Sequence, residues 1–256
     1  MTAGWALDLD GVIWRGSQTV PGSAKAVAAL REAGVPIAFV TNSAQRTPQE
    51  VAQKLAQHGI ADAEHEVITS AMAAATLVEP GERVLAVGMA GLRTALLDRE
   101  CELVDEGPAD AVVMGIDLDF DYATMNRAMQ AVNGGARFIA TNTDASFPAA
   151  GGLQPGNGAL VASVATATGV EPEVAGKPGS PIAVLTKERL GSSGIMVGDR
   201  PDTDGIFAEA LGFGFGLVLS GVTAAADLPV EPSPIAVSPC LKDLVDAVLG
   251  GDVSWT

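Results

Sequence analysis

The chain is poor in the residues on which several large classes of protein depend. Its two cysteines, Cys101 and Cys240, are too few and too far apart for a zinc cluster, and such sparing use fits a reducing, cytoplasmic compartment. Its two histidines, His58 and His65, leave little for Ser-His or Cys-His nucleophile chemistry. "QHGI" reads as a helix end, with His58 favouring the dipole and Gly59 taking the left-handed cap. Basic residues are scarce too: 15 Lys+Arg stand against 31 Asp+Glu, a formal net charge of -16, so a nucleic-acid backbone would be repelled and no nucleic-acid partner is expected. No apolar stretch approaches a membrane span, and the N-terminus lacks the basic and apolar regions of a signal peptide, so a soluble protein with no membrane partner is expected. An anionic substrate would have to be received by a local exception: a metal ion, a lysine and backbone N–H groups.

What is present is an apolar, alternating pattern. With 256 residues, 48% of them hydrophobic, the chain can build one large or two modest domains. Short β-branched runs alternate with alanine-rich amphipathic stretches, the signature of parallel βαβ units in an α/β protein. Strands are predicted at "WALDLD", "VPIAFVT", "RVLAVG", "DAVVMGI", "ARFIAT", "PEVAGK", "GIMVGD" and "GFGLVLSG". Helices are predicted at residues 23–33, 48–58, 122–132, 159–168, 181–189 and 203–211, the first with Ser23 as N-cap and Gly34 past its end. Hinges at "LVEPGERV" and "TGVEPEVAGKPGSP" bracket a middle segment of domain size. The expected organisation is a core of residues 1–78 and 176–256 with residues 79–175 inserted as a lid. The terminal "GGDVSWT" reads as a loosely held tail.

In an open parallel sheet, functional groups collect past the carboxyl ends of the strands. Four predicted ends carry groups that belong together: Asp8 and Asp10 before Gly11; Thr41, Asn42 and Ser43; Lys177; and Asp199 with Asp204 five residues on, at a helix start. Converging carboxylates repel, and a hard divalent cation such as Mg²⁺ relieves them. Thr41, Asn42 and Lys177 add the donors and positive charge that a phosphoryl group in transfer requires. An aspartate, ionised at neutral pH, can attack phosphorus without a base and give an acyl phosphate; Asp8 is the expected nucleophile. Asp10, two residues along and on the same side, is expected to hold a proton for the leaving oxygen and later to take one from water.

"DLDGVIWRG", "FVTNS", "GKP" and "GDRPDTD" resemble, in order and spacing, the four motifs of the haloacid dehalogenase (HAD) superfamily of phosphatases. The C2-capped, NagD-like subfamily IIA, which includes phosphoglycolate, glycerol phosphate and 4-nitrophenyl phosphate phosphatases, is the best match. "VVMGIDLDFDY", "FIATNTDASFPAAGGLQPGNGAL" and "LVLSGVT" carry the likeness over nearly the whole chain. The resemblance implies a Rossmann-like parallel-sheet core with an inserted α/β C2-type cap. It implies Asp8 as nucleophile and Asp10 as acid/base. It implies Mg²⁺ held by the Asp8 carboxylate, the Asp10 carbonyl and Asp199, with Asp204 in support, and a phosphoryl group gripped by Thr41 and Lys177. Ser43, Arg46, Asn142 and Asp144 are expected near the leaving group of a small phosphorylated metabolite, and the cap at a homodimer interface. One departure is Gly205, where the family has an apolar residue; it weakens a helix start and removes no catalytic group.

Several stretches compete with this reading. "GIDLDF" holds a second pair, Asp117 and Asp119, but Phe120 replaces the turn glycine, so they read as a cap loop before the helix at Tyr122. Asn142 and Asp144 also suit a turn or a helix cap. "GKPGS" lacks the upstream glycine of a nucleotide P-loop, "GFGFG" lacks dinucleotide spacing, and "PGNGAL" reads as a loop-to-helix turn. A phosphotransferase or mutase of the same fold and a non-catalytic metabolite-binding protein are the alternatives to a phosphatase.

Overall fold

The β-branched runs assemble into two parallel sheets. The computed structural model describes residues 3–149 and 152–251; the tail beyond 251 lies outside the described residues. The first sheet has six strands in the order Ala236–Ser238, Gly214–Val218, Gly194–Gly198, Gly4–Leu7, Ile37–Thr41 and Val67–Thr69, and the pairings from Ala236–Ser238 through Ile37–Thr41 are parallel. Numbered along the chain this is the order 3-2-1-4-5-6 of a doubly wound fold, with its switch point between Gly4–Leu7 and Gly194–Gly198. Those two strands and Ile37–Thr41 are buried throughout, as a parallel strand covered on both faces must be. Register pairs Leu7 with both Val197 and Phe39, so Asp8, Thr41 and Asp199 leave the sheet at one edge.

Helices cover this sheet with apolar stripes at helical spacing. Ser23–Glu32 buries Ala26, Val27 and Leu30, Leu241–Leu249 buries Leu241, Leu244 and Val245, and the two pack together. Ser23 is not the cap expected of it: Gly22, at φ 84°, takes the N-cap position, and the Ser23 hydroxyl turns inward to donate to the Ile13 carbonyl at 3.3 Å. At "QHGI", Gly59 does adopt φ 86°.

The second sheet runs Glu173–Val174, Arg137–Ala140, Ala111–Met114, Arg83–Val87 and Glu102–Val104, all parallel. Its apolar core includes Leu85, Val112, Met114, Val132, Phe138 and Val161. By packing, the chain divides into two compact units: residues 1–41, 51–68 and 183–256, and residues 42–50 and 69–182. One expectation changes here. The strand before Lys177 pairs with Arg137–Ala140 and so belongs to the second sheet; three of the four motif-bearing ends, not four, lie on the first. Among the described residues no helix is long and apolar enough to cross a membrane.

Candidate active site

The predicted strand "WALDLD" stops short of its aspartates. It ends at Leu7, and the carbonyl of Leu9 then accepts the amides of Val12, Ile13 and Trp14 at 3.3, 2.9 and 3.2 Å, curling the chain into a helical turn. Side-chain alternation along a strand therefore does not relate Asp8 to Asp10. Asp8 is half-buried beside the sheet, Leu9 is buried and Asp10 is exposed. Gly11 makes the turn possible at φ 84°, a left-handed conformation that glycine alone adopts at little cost.

At the switch point the structure brings Asp8, Asp199 and Asp204 together, each with a carboxylate oxygen within 4.8 Å of the others. Asp199 is 3% and Asp204 2% exposed. Asp199 ends the buried strand Gly194–Gly198, and Asp204 lies in a π-helical turn, Pro201–Gly205, before the helix Ile206–Leu211. Such turns are uncommon and concentrate at functional sites. The wide turn directs the amides of Asp204 and Gly205 to the Arg200 carbonyl at 2.7 and 3.4 Å, while the Arg200 amide donates to Asp204 Oδ2 at 3.2 Å. Gly205 has a packing reason: a Cβ there would lie 2.9 Å from Pro232 Cδ and 3.2 Å from Phe215 Cε1.

Three glycines give these carboxylates their room. A Cβ on Gly221 would lie 1.8 Å from Asp199 Oδ2, one on Gly11 2.3 Å from the same oxygen, and one on Gly198 2.1 Å from Asp204 Oδ2. The loop after Gly214–Val218 closes the cradle: the Val222 amide donates to Asp199 Oδ2 at 2.6 Å, Thr223 Oγ1 to the Asp199 carbonyl at 2.6 Å, and Ser220 Oγ to the Gly11 carbonyl at 2.6 Å. The sequence reading gave "LSGVT" no role of its own, and its one signal was the resemblance.

The remaining candidates fall in two places. Thr41 lies in the first unit, buried at the end of Ile37–Thr41. Asn42, Ser43, Arg46, Asn142, Asp144 and Lys177 lie in the second. There the Asn42 amide is a bracket: its Oδ1 accepts from the Lys177 amide at 2.7 Å, and its Nδ2 donates to the Lys177 carbonyl at 3.1 Å and to Asp144 Oδ2 at 3.3 Å. Asn142 Nδ2 and Ser70 Oγ donate to the Asn42 carbonyl at 2.8 and 2.6 Å. Asn142 is buried and closes a turn by accepting the Asp144 amide at 3.1 Å. Lys177 is buried, Ser43 half-buried and Arg46 exposed; the Arg46 carbonyl packs where a Cβ on Gly91 would sit, at 2.4 Å. Asn157, which opens the helix Asn157–Thr168 in "PGNGAL", was missed altogether. Its Nδ2 donates to the carbonyls of Met114 and Asn142 at 3.1 and 2.8 Å and reaches Thr141 Oγ1 at 3.4 Å.

Residues 5–102 match the family model of haloacid dehalogenase-like hydrolases, and residues 174–247 that of HAD-hydrolase-like proteins. An acid sugar phosphatase of Staphylococcus aureus is 36% identical over 250 residues, 95% of this chain and 96% of that protein. This chain belongs to the haloacid dehalogenase-like hydrolases. Among solved structures, a glycerol phosphate phosphatase of Mycobacterium tuberculosis in complex with magnesium superposes with a TM-score of 0.88 at 35% identity, over 95% of this chain and 76% of that one. NagD of E. coli K-12 gives 0.87 at 30% identity, over 95% and 98%. The fold is thus the HAD Rossmann-like core with an inserted α/β cap of the NagD-like subfamily IIA.

Within this HAD chain the competing stretches have structural employment. Asp117 Oδ1 accepts the Asp119 amide at 3.0 Å, and Asp121 caps the helix Tyr122–Asn133 through the Thr124 amide at 2.8 Å. Asp117 also lines, with Arg93, Thr124 and Arg127, a crevice of about 150 Å³ in the second unit. His58 directly follows the helix Pro48–Gln57, at the end that "QHGI" marks. It is buried against Trp14, with ring centroids 5.0 Å apart, and burial first and the Lys54 charge second hold its pKa below the usual histidine value.

Proposed function

We propose that this chain is a Mg²⁺-dependent phosphomonoesterase of small phosphorylated metabolites that works through an aspartyl phosphate. The observation that carries the reading is the cluster of Asp8, Asp199 and Asp204 in its glycine cradle. Two nearly buried carboxylates beside a third are costly unless a cation offsets them, and an all-oxygen donor set suits a hard ion. The donor chemistry therefore fits Mg²⁺, with Asp8, Asp199 and Asp204 as side-chain ligands and Asp10 contributing its backbone carbonyl. When bound, the ion supplies positive charge against the phosphoryl oxygens.

The chain's own groups then divide the work. An Asp8 carboxylate oxygen forms a bond to phosphorus as the ester P–O bond breaks, and the leaving oxygen takes a proton from Asp10. Water next bonds to phosphorus, gives its proton to Asp10, and the P–O bond to Asp8 breaks to release phosphate. Thr41 and Lys177 grip the phosphoryl group, and the Asn42 bracket on both sides of the Lys177 peptide supports that lysine. Ser43 and Arg46 meet the leaving group; Asn142 and Asp144, both bonded to Asn42, act on its arrangement. We read residues 1–78 and 176–256 as the core and 79–175 as the cap, because each sheet falls wholly within one of these divisions. The sparing use of cysteine supports a cytoplasmic location, the resemblance implies a homodimer, and light scattering tests the latter.

Similarity to an acid sugar phosphatase and a glycerol phosphate phosphatase makes sugar phosphates and glycerol phosphate the first substrates to try. The test is phosphate release from a panel of them and 4-nitrophenyl phosphate, with Mg²⁺ and with chelator. Release that requires the metal is expected. Transfer of phosphate to a sugar hydroxyl in place of water, or tight binding without release from any ester, would overturn the reading.

A further inference from the structure

Asp10 is the one aspartate of the opening motif outside the carboxylate cluster, and it has a partner of its own: Trp14 Nε1 donates to Asp10 Oδ1 at 2.9 Å. We infer that Trp14 is a positioning residue for Asp10, its indole N–H holding Oδ1 so that Oδ2 is the oxygen that exchanges the proton. This rests on the phosphatase reading above.

The two partners differ in freedom. Asp10 is exposed at the end of a turn, and its carboxylate can rotate, whereas Trp14 is 2% exposed. The backbone fixes their spacing: the Gly11 amide donates to the Trp14 carbonyl at 2.7 Å, and Asp10 and Trp14 form a bridge. Trp14 then enters a two-stranded hairpin, Trp14–Arg15 with Gln18–Thr19. Lys54 and His58, one helical turn apart at the end of Pro48–Gln57, hold the ring, with Lys54 Nζ 3.9 Å from its centroid and the imidazole tilted 30° against it. His58 Nδ1 also shares a 2.6 Å hydrogen bond with Thr19 Oγ1 on the second hairpin strand. The helix thus clamps both strands, and the indole N–H has one direction in which to point. A carboxylate held at one oxygen by a fixed donor keeps the other available, and such charge-assisted bonds are the strong ones. Trp14 neither gains nor loses a proton in either half of the reaction.

The test compares two leaving groups. An alkoxide must be protonated as it departs, whereas 4-nitrophenolate leaves readily without a proton. With Mg²⁺ present, kcat/KM of Trp14→Phe is expected to fall on glycerol phosphate by at least about tenfold more than on 4-nitrophenyl phosphate, because only the first draws on the acid. Equal losses on the two esters would show a ring that merely fills space and would overturn the inference. A second measurement does not depend on turnover. The chain has three tryptophans, and the indole N–H resonance missing from Trp14→Phe identifies Trp14 in a ¹⁵N spectrum. Asp10→Ala should shift that resonance and speed its exchange with water; an unmoved resonance overturns the bond. If the wild type hydrolysed no ester while the resonance moved, the phosphatase reading would fail and the Trp14–Asp10 bond would stand.

Discussion

Gly221→Ala adds one methyl group where the structure has no room for it. The new Cβ would lie 1.8 Å from Asp199 Oδ2 and 2.3 Å from its Cγ, and ordinary contact begins at 3.4 Å, so the carboxylate oxygen must retreat by about 1.6 Å. It cannot do so and keep the 2.6 Å bond from the Val222 amide, which belongs to the next residue. A hydrogen bond to a charged group contributes roughly 1.5–3 kcal/mol, and disturbing the support of a metal ligand weakens metal affinity by about 10–100-fold. Backbone strain adds little, because Gly221 is not among the positive-φ glycines. The assay is a Mg²⁺ titration followed two ways, by phosphate release and by the rise in melting temperature on adding metal. The expected result is a midpoint moved upward by about 10–100-fold. A midpoint within about twofold of the wild type, by both readouts, would refute the claim that the glycine cradle sets the position of Asp199.

Three further outcomes are expected. With Asp8 proposed as the nucleophile, Asp8→Asn should lower turnover by at least about a thousandfold, in the range that loss of a nucleophile produces, with folding checked by circular dichroism; near-normal turnover would reject Asp8 as the attacking group. Asn157→Ala strands the buried carbonyls of Met114 and Asn142 and should destabilise the protein by about 1–3 kcal/mol in urea unfolding. The loss is capped because Asn157 Oδ1, which the substitution also removes, is itself buried without a partner among the described residues. For His58, the folded-state pKa lies below the unfolded one, so the unfolded chain binds the extra proton: the neutral ring's contribution is complete above about pH 6.5 and is lost as pH falls through the folded value. Melting temperatures at pH 7.5 and 5.5 should therefore fall further for the wild type than for His58→Gln, and equal falls would contradict it.

Legibility in the sequence followed the range of the interactions involved. The central strands were readable because burial on both faces requires unbroken apolar runs, and "VPIAFVT" and "GIMVGD" are such runs. The edge strands Val67–Thr69, Glu102–Val104 and Ala236–Ser238 were not, since three residues carry no period. The helices Ala90–Asp98 and Leu241–Leu249 were likewise overlooked, although the latter buries a regular stripe. At the site, Asp8, Asp199 and Asp204 could be named because each sits in a short motif. What holds them could not: Gly221 meets Asp199 across 22 residues and Ser220 meets Gly11 across 209, just as the Asn42 bracket on Lys177 spans 135.

The same separation of scales accounts for an acidic protein with an anionic substrate class. A formal charge of -16 is a property of the whole surface and acts through screened, long-range potentials. The carboxylates of the cluster contribute to that charge, yet two of them, Asp199 and Asp204, are nearly buried and accept backbone amides at 2.6 and 3.2 Å. Groups so confined set the local field by what they bind. Three oxygens converging within 4.8 Å suit a positive charge, and on the proposed reading a phosphoryl group would meet that charge in place of the bare acids. On the same reading a carboxylate outside the cluster serves proton transfer. Asp10 is the acid of the opening motif whose side chain lies there, with its Oδ1 held by the Trp14 indole N–H at 2.9 Å.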